Sequence, residues 1–125
     1  MDPVSPKILI VEDDPQLQQM YKRKLAFEKF VVFAASNGEE GLKLAKEQHP
    51  DLILLDVMLP GTMNGFDVLE VLQRDETLKK IPVIMSTNLN SEETVARGIG
   101  AVDYLVKANT SLDDVVAKIR KHLPV

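Results

Sequence analysis

Five times in this chain a short, almost wholly apolar run is followed by a stretch whose apolar residues recur at three- and four-residue spacing. That alternation constrains the fold more than any other feature. The apolar runs are Lys7-Ile8-Leu9-Ile10-Val11, Phe30-Val31-Val32-Phe33-Ala34, Asp51 to Asp56, Ile81 to Ser86 and Val102 to Val106. Short, uninterrupted apolar runs read as strands buried on both faces. Pro82 stands at the start of its run, where a missing N–H is tolerated.

The intervening patterns are amphipathic helices. Leu17, Met20, Tyr21 and Leu25 form the first stripe, with Pro15 in the opening turn and Asp14 as a cap. Asn37-Gly38 opens the second helix, with Leu42 and Ala45 facing inward. Phe66, Leu69 and Leu72, widened by Val68 and Val71, make the third. Ser91 to Ile99 gives a weakly apolar fourth, carried by Val95 and Ile99. Leu112, Val115, Val116, Ile119 and Leu123 make the fifth, capped by Thr110 or Ser111, with Asp113 and Asp114 favourable at its positive end. Strand–helix alternation with apolar strands requires a parallel sheet covered on both faces. Right-handed crossovers then leave a doubly wound, five-stranded α/β sheet in the flavodoxin-like order 2-1-3-4-5.

At 125 residues the expectation is one domain spanning 1–125, with a folded core of about 6–123. Cysteine is absent, which excludes disulfides, thiolate metal sites and a thiol nucleophile. His49 and His122 lie near helix ends in polar company and read as solvated surface or helix-end residues. A net charge of −4 and a pI near 5.1 argue against direct nucleic-acid binding. No apolar run approaches the ~20 residues of a membrane span. The start has no signal-peptide hydrophobic region, so cytoplasmic residence is expected.

The strand ends carry the chemistry. The first ends in Glu12-Asp13-Asp14, the third in Asp56, the fourth in Ser86-Thr87-Asn88 and the fifth in Lys107. A carboxylate at the tip of a buried strand is costly unless it stands in a cleft or meets a cation. In a doubly wound sheet the cleft lies beyond the strands' carboxyl ends, at the switch between strands one and three. Asp13 and Asp56 are therefore expected to face each other. Each residue alone has a plainer reading: a helix cap, a solvated lysine, a turn threonine. Together, hard carboxylate oxygens without histidine or cysteine select Mg²⁺. Lys107 and Thr87 add a cation and a hydroxyl for phosphoryl oxygens. Such a set suffices for phosphoryl transfer with Asp56 as nucleophile.

Four segments carry a resemblance: Ile8-Leu9-Ile10-Val11-Glu12-Asp13-Asp14, Pro50 to Gly61, Pro82-Val83-Ile84-Met85-Ser86-Thr87 and Gly100-Ala101-Val102-Asp103-Tyr104-Leu105-Val106-Lys107. Over essentially its whole length the chain resembles the receiver domains of two-component response regulators, single-domain chemotaxis-type regulators among them. The resemblance implies that Asp56 accepts a phosphoryl group from the phosphohistidine of a histidine kinase or phosphotransfer protein. It implies Mg²⁺ held by Asp13, Asp56 and the Met58 backbone carbonyl, with Glu12 acting through water. Thr87 and Lys107 would hold the phosphoryl oxygens. Tyr104 would swing inward as Thr87 moves, altering the surface of helix 4, strand 5 and helix 5. The implied protein is a self-catalysing switch, with autodephosphorylation and no metabolic turnover, so it is not classed as an enzyme. Its output would pass to a downstream protein target, if the chain acts alone, or to an effector domain, if it is a receiver excised from a longer regulator or hybrid kinase.

Several positions depart from the family's usual pattern. Ala108 follows Lys107 where proline is usual, and a trans Lys107–Ala108 bond is expected because a non-proline cis bond costs ~3 kcal/mol. The loop Pro60-Gly61-Thr62-Met63-Asn64-Gly65 is one residue longer than usual. Asn88 replaces a small residue. Leu89 and Met58 are apolar beside the acceptor and are expected to shield an acyl phosphate from water. Two other functions compete: a binding module that keeps the fold without phosphorylation, and a hydrolase with an aspartate nucleophile. The hydrolase would need a second acid where Met58 stands.

Overall fold

The computed structural model describes residues 5–88 and 92–124. Five parallel strands, β1 (Lys7–Val11), β2 (Val31–Ala35), β3 (Leu52–Asp56), β4 (Val83–Thr87) and β5 (Asp103–Val106), form one sheet in the order 2-1-3-4-5. They alternate with α1 (Pro15–Phe27), α2 (Gly38–Gln48), α3 (Gly65–Arg74), α4 (Glu93–Ile99) and α5 (Leu112–His122), with a 3-10 turn at Lys107–Asn109. The order is the one the alternation predicts. Every residue of β3 and β4 is buried, as strands covered on both faces must be.

The sheet separates two apolar layers. On one side Leu9, Ile53, Leu55 and Met85 pack with Ala45 of α2, with Val68, Leu69 and Leu72 of α3, and with Ala96 of α4. On the other, Ile8, Ile10, Leu52, Leu54 and Ile84 pack with Tyr21 and Leu25 of α1 and with Val115, Val116 and Ile119 of α5. Alternation along each strand assigns every site residue to one layer.

Local chemistry sets the boundaries. The Asp14 carboxylate accepts from Gln16 N–H and Leu17 N–H at 2.9 and 3.3 Å, capping α1. Asn37 caps α2 through Glu40 N–H, and Ser111 caps α5 through Asp114 N–H. Four expected strands shift by one or two residues, β3 by starting at Leu52 rather than Asp51. Phe30 belongs to the turn that closes α1, where Lys29 has φ 75° and Phe30 N–H bonds Leu25. Ile81 and Pro82 precede β4, and Val102 precedes β5.

Two helix stripes differ from expectation. Met20 is 49 % exposed, because α1 turns Tyr21 and Leu25 toward the sheet. On α4 the inward residue is Ala96, fully buried, while Val95 is half exposed. A small side chain there lets α4 approach closely. Ser91, expected to open that helix, and Leu89 lie outside the described residues. Among the described residues no helix is long and apolar enough to cross a membrane.

Candidate phosphoacceptor site

Asp56 closes β3 and is 3 % exposed. β1 lies beside β3, with Val11 opposite Leu55, so Glu12 and Asp13 emerge next to it. One carboxylate oxygen from each of Glu12, Asp13 and Asp56 lies within 4.8 Å of the others. The sheet thus brings together the three acids expected from the sequence. Asp13 is exposed while Glu12 is buried. Asp14 is set apart as the cap of α1, and its N–H donates to Glu12 Oε2 at 3.0 Å. Gln18 of α1 donates to the Glu12 and Ala35 carbonyls, fixing the ends of β1 and β2.

Lys107 reaches in from the end of β5. Its Nζ donates to Asp56 Oδ2 at 2.8 Å and lies 2.6 Å from Glu12 Oε1. The second contact is a close ion pair, poorly directed as a hydrogen bond, with a buried carboxylate oxygen. Burial raises the proton affinities of both Glu12 and Asp56, and Lys107 only partly offsets it. For Lys107 burial acts against the charge, yet the Asp56 and Glu12 carboxylates outweigh it and raise its pKa. Two buried acids therefore share one ammonium, with Asp13 adding a third negative group. An all-oxygen cluster of three carboxylates around one ammonium has the donor chemistry of a hard divalent cation.

The turn after β3 shapes the mouth. Met58 N–H donates to Asp56 Oδ1 at 3.3 Å, and its side chain is 65 % exposed. The long loop is anchored at two points. Thr62 donates to Glu39 at 2.9 Å, and Asn64 and Asp67 form a reciprocal cap on α3. Gly65 N–H bonds the Val57 carbonyl at 2.8 Å, and a Cβ on Gly65 would collide with the Asp56 carbonyl oxygen. Glycine is required there by close approach.

Thr87 closes β4 and is fully buried, on the α3/α4 side of the sheet. Tyr104 faces the same layer and is 6 % exposed, so its ring is already inside. Burial raises its phenol pKa. Lys107, Ala108 and Asn109 form the 3-10 turn, and Thr110 Oγ1 donates to the Val106 carbonyl at 2.8 Å. No peptide bond of the described residues is cis, Lys107–Ala108 included.

Sequence reasoning missed a second polar cluster. Asp103, at the start of β5, is buried and meets His122 Nε2 at 2.8 Å, Lys118 Nζ at 3.3 Å and Arg97 at 3.4 Å. Its carboxyl is held down to about 2. Burial opposes that shift, but the Tyr104 N–H, His122 and Lys118 outweigh it. His122 is thus partnered rather than solvated. The four-residue spacing of Lys118 and His122 was visible, but their common partner lies on another element.

A parallel sheet whose crossing point gathers three acids and a lysine has the architecture of a phosphorylatable signalling domain. The chain belongs to the response regulator receiver domain family, whose model matches residues 8–120, and it is a receiver domain of two-component systems. It is 42 % identical over 104 residues to the transcriptional regulatory protein AfsQ1 of Streptomyces coelicolor, covering 82 % of this chain and 44 % of that protein. It is 38 % identical over 125 residues to the DNA-binding response regulator MtrA of Mycolicibacterium smegmatis, covering 98 % and 53 %. The chain thus spans about half the length of these relatives. Among solved structures, the Vibrio cholerae chemotaxis protein CheY4 superposes with a TM-score of 0.88 at 27 % identity, covering 96 % of this chain and 100 % of that one.

Proposed function

We propose that Asp56 is the phosphoryl acceptor of a two-component signalling switch. The observation that carries this reading is the position of its carboxylate, buried at a strand tip, 2.8 Å from Lys107 and clustered with Glu12 and Asp13. An Asp56 carboxylate oxygen attacks the phosphorus of a partner's phosphohistidine. The O–P bond forms as the P–N bond breaks, and the imidazole leaves. Lys107 neutralises charge on the transferred group, and the Thr87 hydroxyl takes one of its oxygens. Asp13, Asp56 and the Met58 carbonyl would hold Mg²⁺, with Glu12 acting through water. Bound there, the ion supplies charge neutralisation for the phosphoryl oxygens.

Drawing Thr87 toward a phosphoryl group changes the packing beside Tyr104. That change shifts the surface of α4, β5 and α5 between two states. The donor is a histidine kinase or phosphotransfer protein. The receiver of the signal is a protein target or an effector domain, and the setting is the cytoplasm. The chemistry is a self-catalysed transfer followed by slow hydrolysis, without turnover of a metabolite.

Incubation with acetyl phosphate and Mg²⁺, read by intact mass, tests the reading. The wild-type chain gains one phosphoryl group, whereas Asp56→Asn gains none. A wild-type chain that stays unmodified would leave a phosphorylation-independent binding module in its place.

A further inference from the structure

At the end of β4, in register with Asp56, lies a buried hydroxyl that the acceptor chemistry leaves unused. Ser86 of β4 pairs with Asp56 of β3 on one side and with Leu105 of β5 on the other. Alternation places its side chain on the face of Ile84 and Leu105, which is also the face of Asp56. Lys107 stands two residues after Leu105, on that same face, and reaches Asp56 at 2.8 Å. To pass from β5 to β3 its side chain must cross the end of β4, and the residue on that face is Ser86. Ser86 is 1 % exposed, and its Oγ has no hydrogen-bond partner among the described residues. A buried hydroxyl left unpaired is costly, and an apolar residue at that place would avoid the cost.

The ammonium carries three donors. One is well placed on Asp56, and another is held against Glu12 Oε1, 2.6 Å from the ammonium. Any divalent cation at the acidic cluster competes with Lys107 for Glu12. An N–H released from Glu12 needs a new acceptor, and the Ser86 hydroxyl on the same face of the sheet can provide one. We propose that Ser86 is a positioning residue for Lys107. When Glu12 turns to a cation, Ser86 Oγ accepts the freed N–H and keeps the ammonium aimed at Asp56 and its phosphoryl group. This rests on the phosphoacceptor reading of Asp56.

The test uses the whole chain with Ser86→Ala, Ser86→Thr, Lys107→Met and the double variant Ser86→Ala/Lys107→Met. Transfer from acetyl phosphate in Mg²⁺ should slow about tenfold in Ser86→Ala, the size of one hydrogen bond to a charged group. Ser86→Thr, which keeps the hydroxyl, should recover most of the rate. On the Lys107→Met background, Ser86→Ala should change nothing. With Mg²⁺ alone, the Lys107 ammonium resonance should be protected from solvent exchange in the wild type and broaden in Ser86→Ala. The thermal midpoint of metal-free Ser86→Ala should be no lower than the wild type's, since no bond is lost.

A Ser86→Ala rate equal to the wild type's overturns the proposal. So does a slowing that persists without Lys107, or a lowered metal-free midpoint. If the wild type takes up no phosphoryl group, the acceptor reading fails by itself. The ammonium resonance under Mg²⁺ still decides the role of Ser86.

Discussion

Gly65 shows how a single residue can set the geometry of a site it never enters. A Cβ added there meets the Asp56 carbonyl oxygen and comes within 2.8 Å of Val57 Cα, both of them backbone. Backbone cannot step aside as a flexible side chain would, so the strand tip itself must shift. Gly65→Ala should lose about 1 to 3 kcal/mol in urea unfolding and slow acetyl phosphate transfer. A variant as stable and as fast as the wild type would show that the tip has room to spare. The sequence reading left Gly65 at the end of a loop one residue longer than usual, and the need for glycine came from β3, which no local pattern reveals. Asp56 and Lys107 were legible because a charge at the end of an apolar run is conspicuous. Ser86 was not, since a serine at a strand end looks the same paired or unpaired.

At the level of elements, Asp103 joins three of them. Arg97 of α4 and Lys118 and His122 of α5 all meet its carboxylate at the start of β5. α4 has only seven residues and no side-chain cap, so local propensity supports it weakly and these contacts matter to it. Asp103 has a folded pKa of about 2, against an ordinary 3.8. A depressed carboxyl contributes stability above its unfolded pKa and loses it as pH falls through the folded one. Asp103→Asn should therefore cost about 1 to 2 kcal/mol at pH 7. The gap to the wild type should close between roughly pH 4 and pH 2, followed by urea unfolding across that range. A gap independent of pH would assign the loss to packing. Periodicity found all five helices, yet it turned Met20 and Val95 inward. Spacing counts apolar residues, whereas the neighbouring element chooses the face: Tyr21 and Leu25 against the sheet on α1, and the small Ala96 on α4.

Across the whole molecule, the fold gathers more negative charge at one end of the sheet than Lys107 neutralises. Burial raises the pKa values of Glu12 and Asp56. A raised carboxyl favours the folded state below its unfolded pKa, and that advantage is lost as pH rises through the folded value. Metal-free Asp56→Asn should consequently be more stable than the wild type at pH 7, and the two should converge in acid. Mg²⁺ should reverse the order by stabilising the wild type, by about 2.7 kcal/mol at a hundredfold excess over its dissociation constant. Thermal unfolding with and without Mg²⁺, for both chains, decides it. An Asp56→Asn chain less stable than the wild type without metal would show that the Lys107 ion pair outweighs the burial of charge.

The sequence alone determined the alternation, the strand order and the residues at the strand ends. Apolar period and turn chemistry are local, and right-handed crossovers leave few ways to assemble them. Only the tertiary structure decided that Glu12 and Asp56 share one ammonium, that Tyr104 already lies inside, that Asp103 holds α4 to α5, and that the Ser86 hydroxyl is buried without a hydrogen bond among the described residues. Each of these depends on the distance and angle between groups on different elements. Such distances are set when the sheet closes and its faces fill, and spacing along the chain does not encode them.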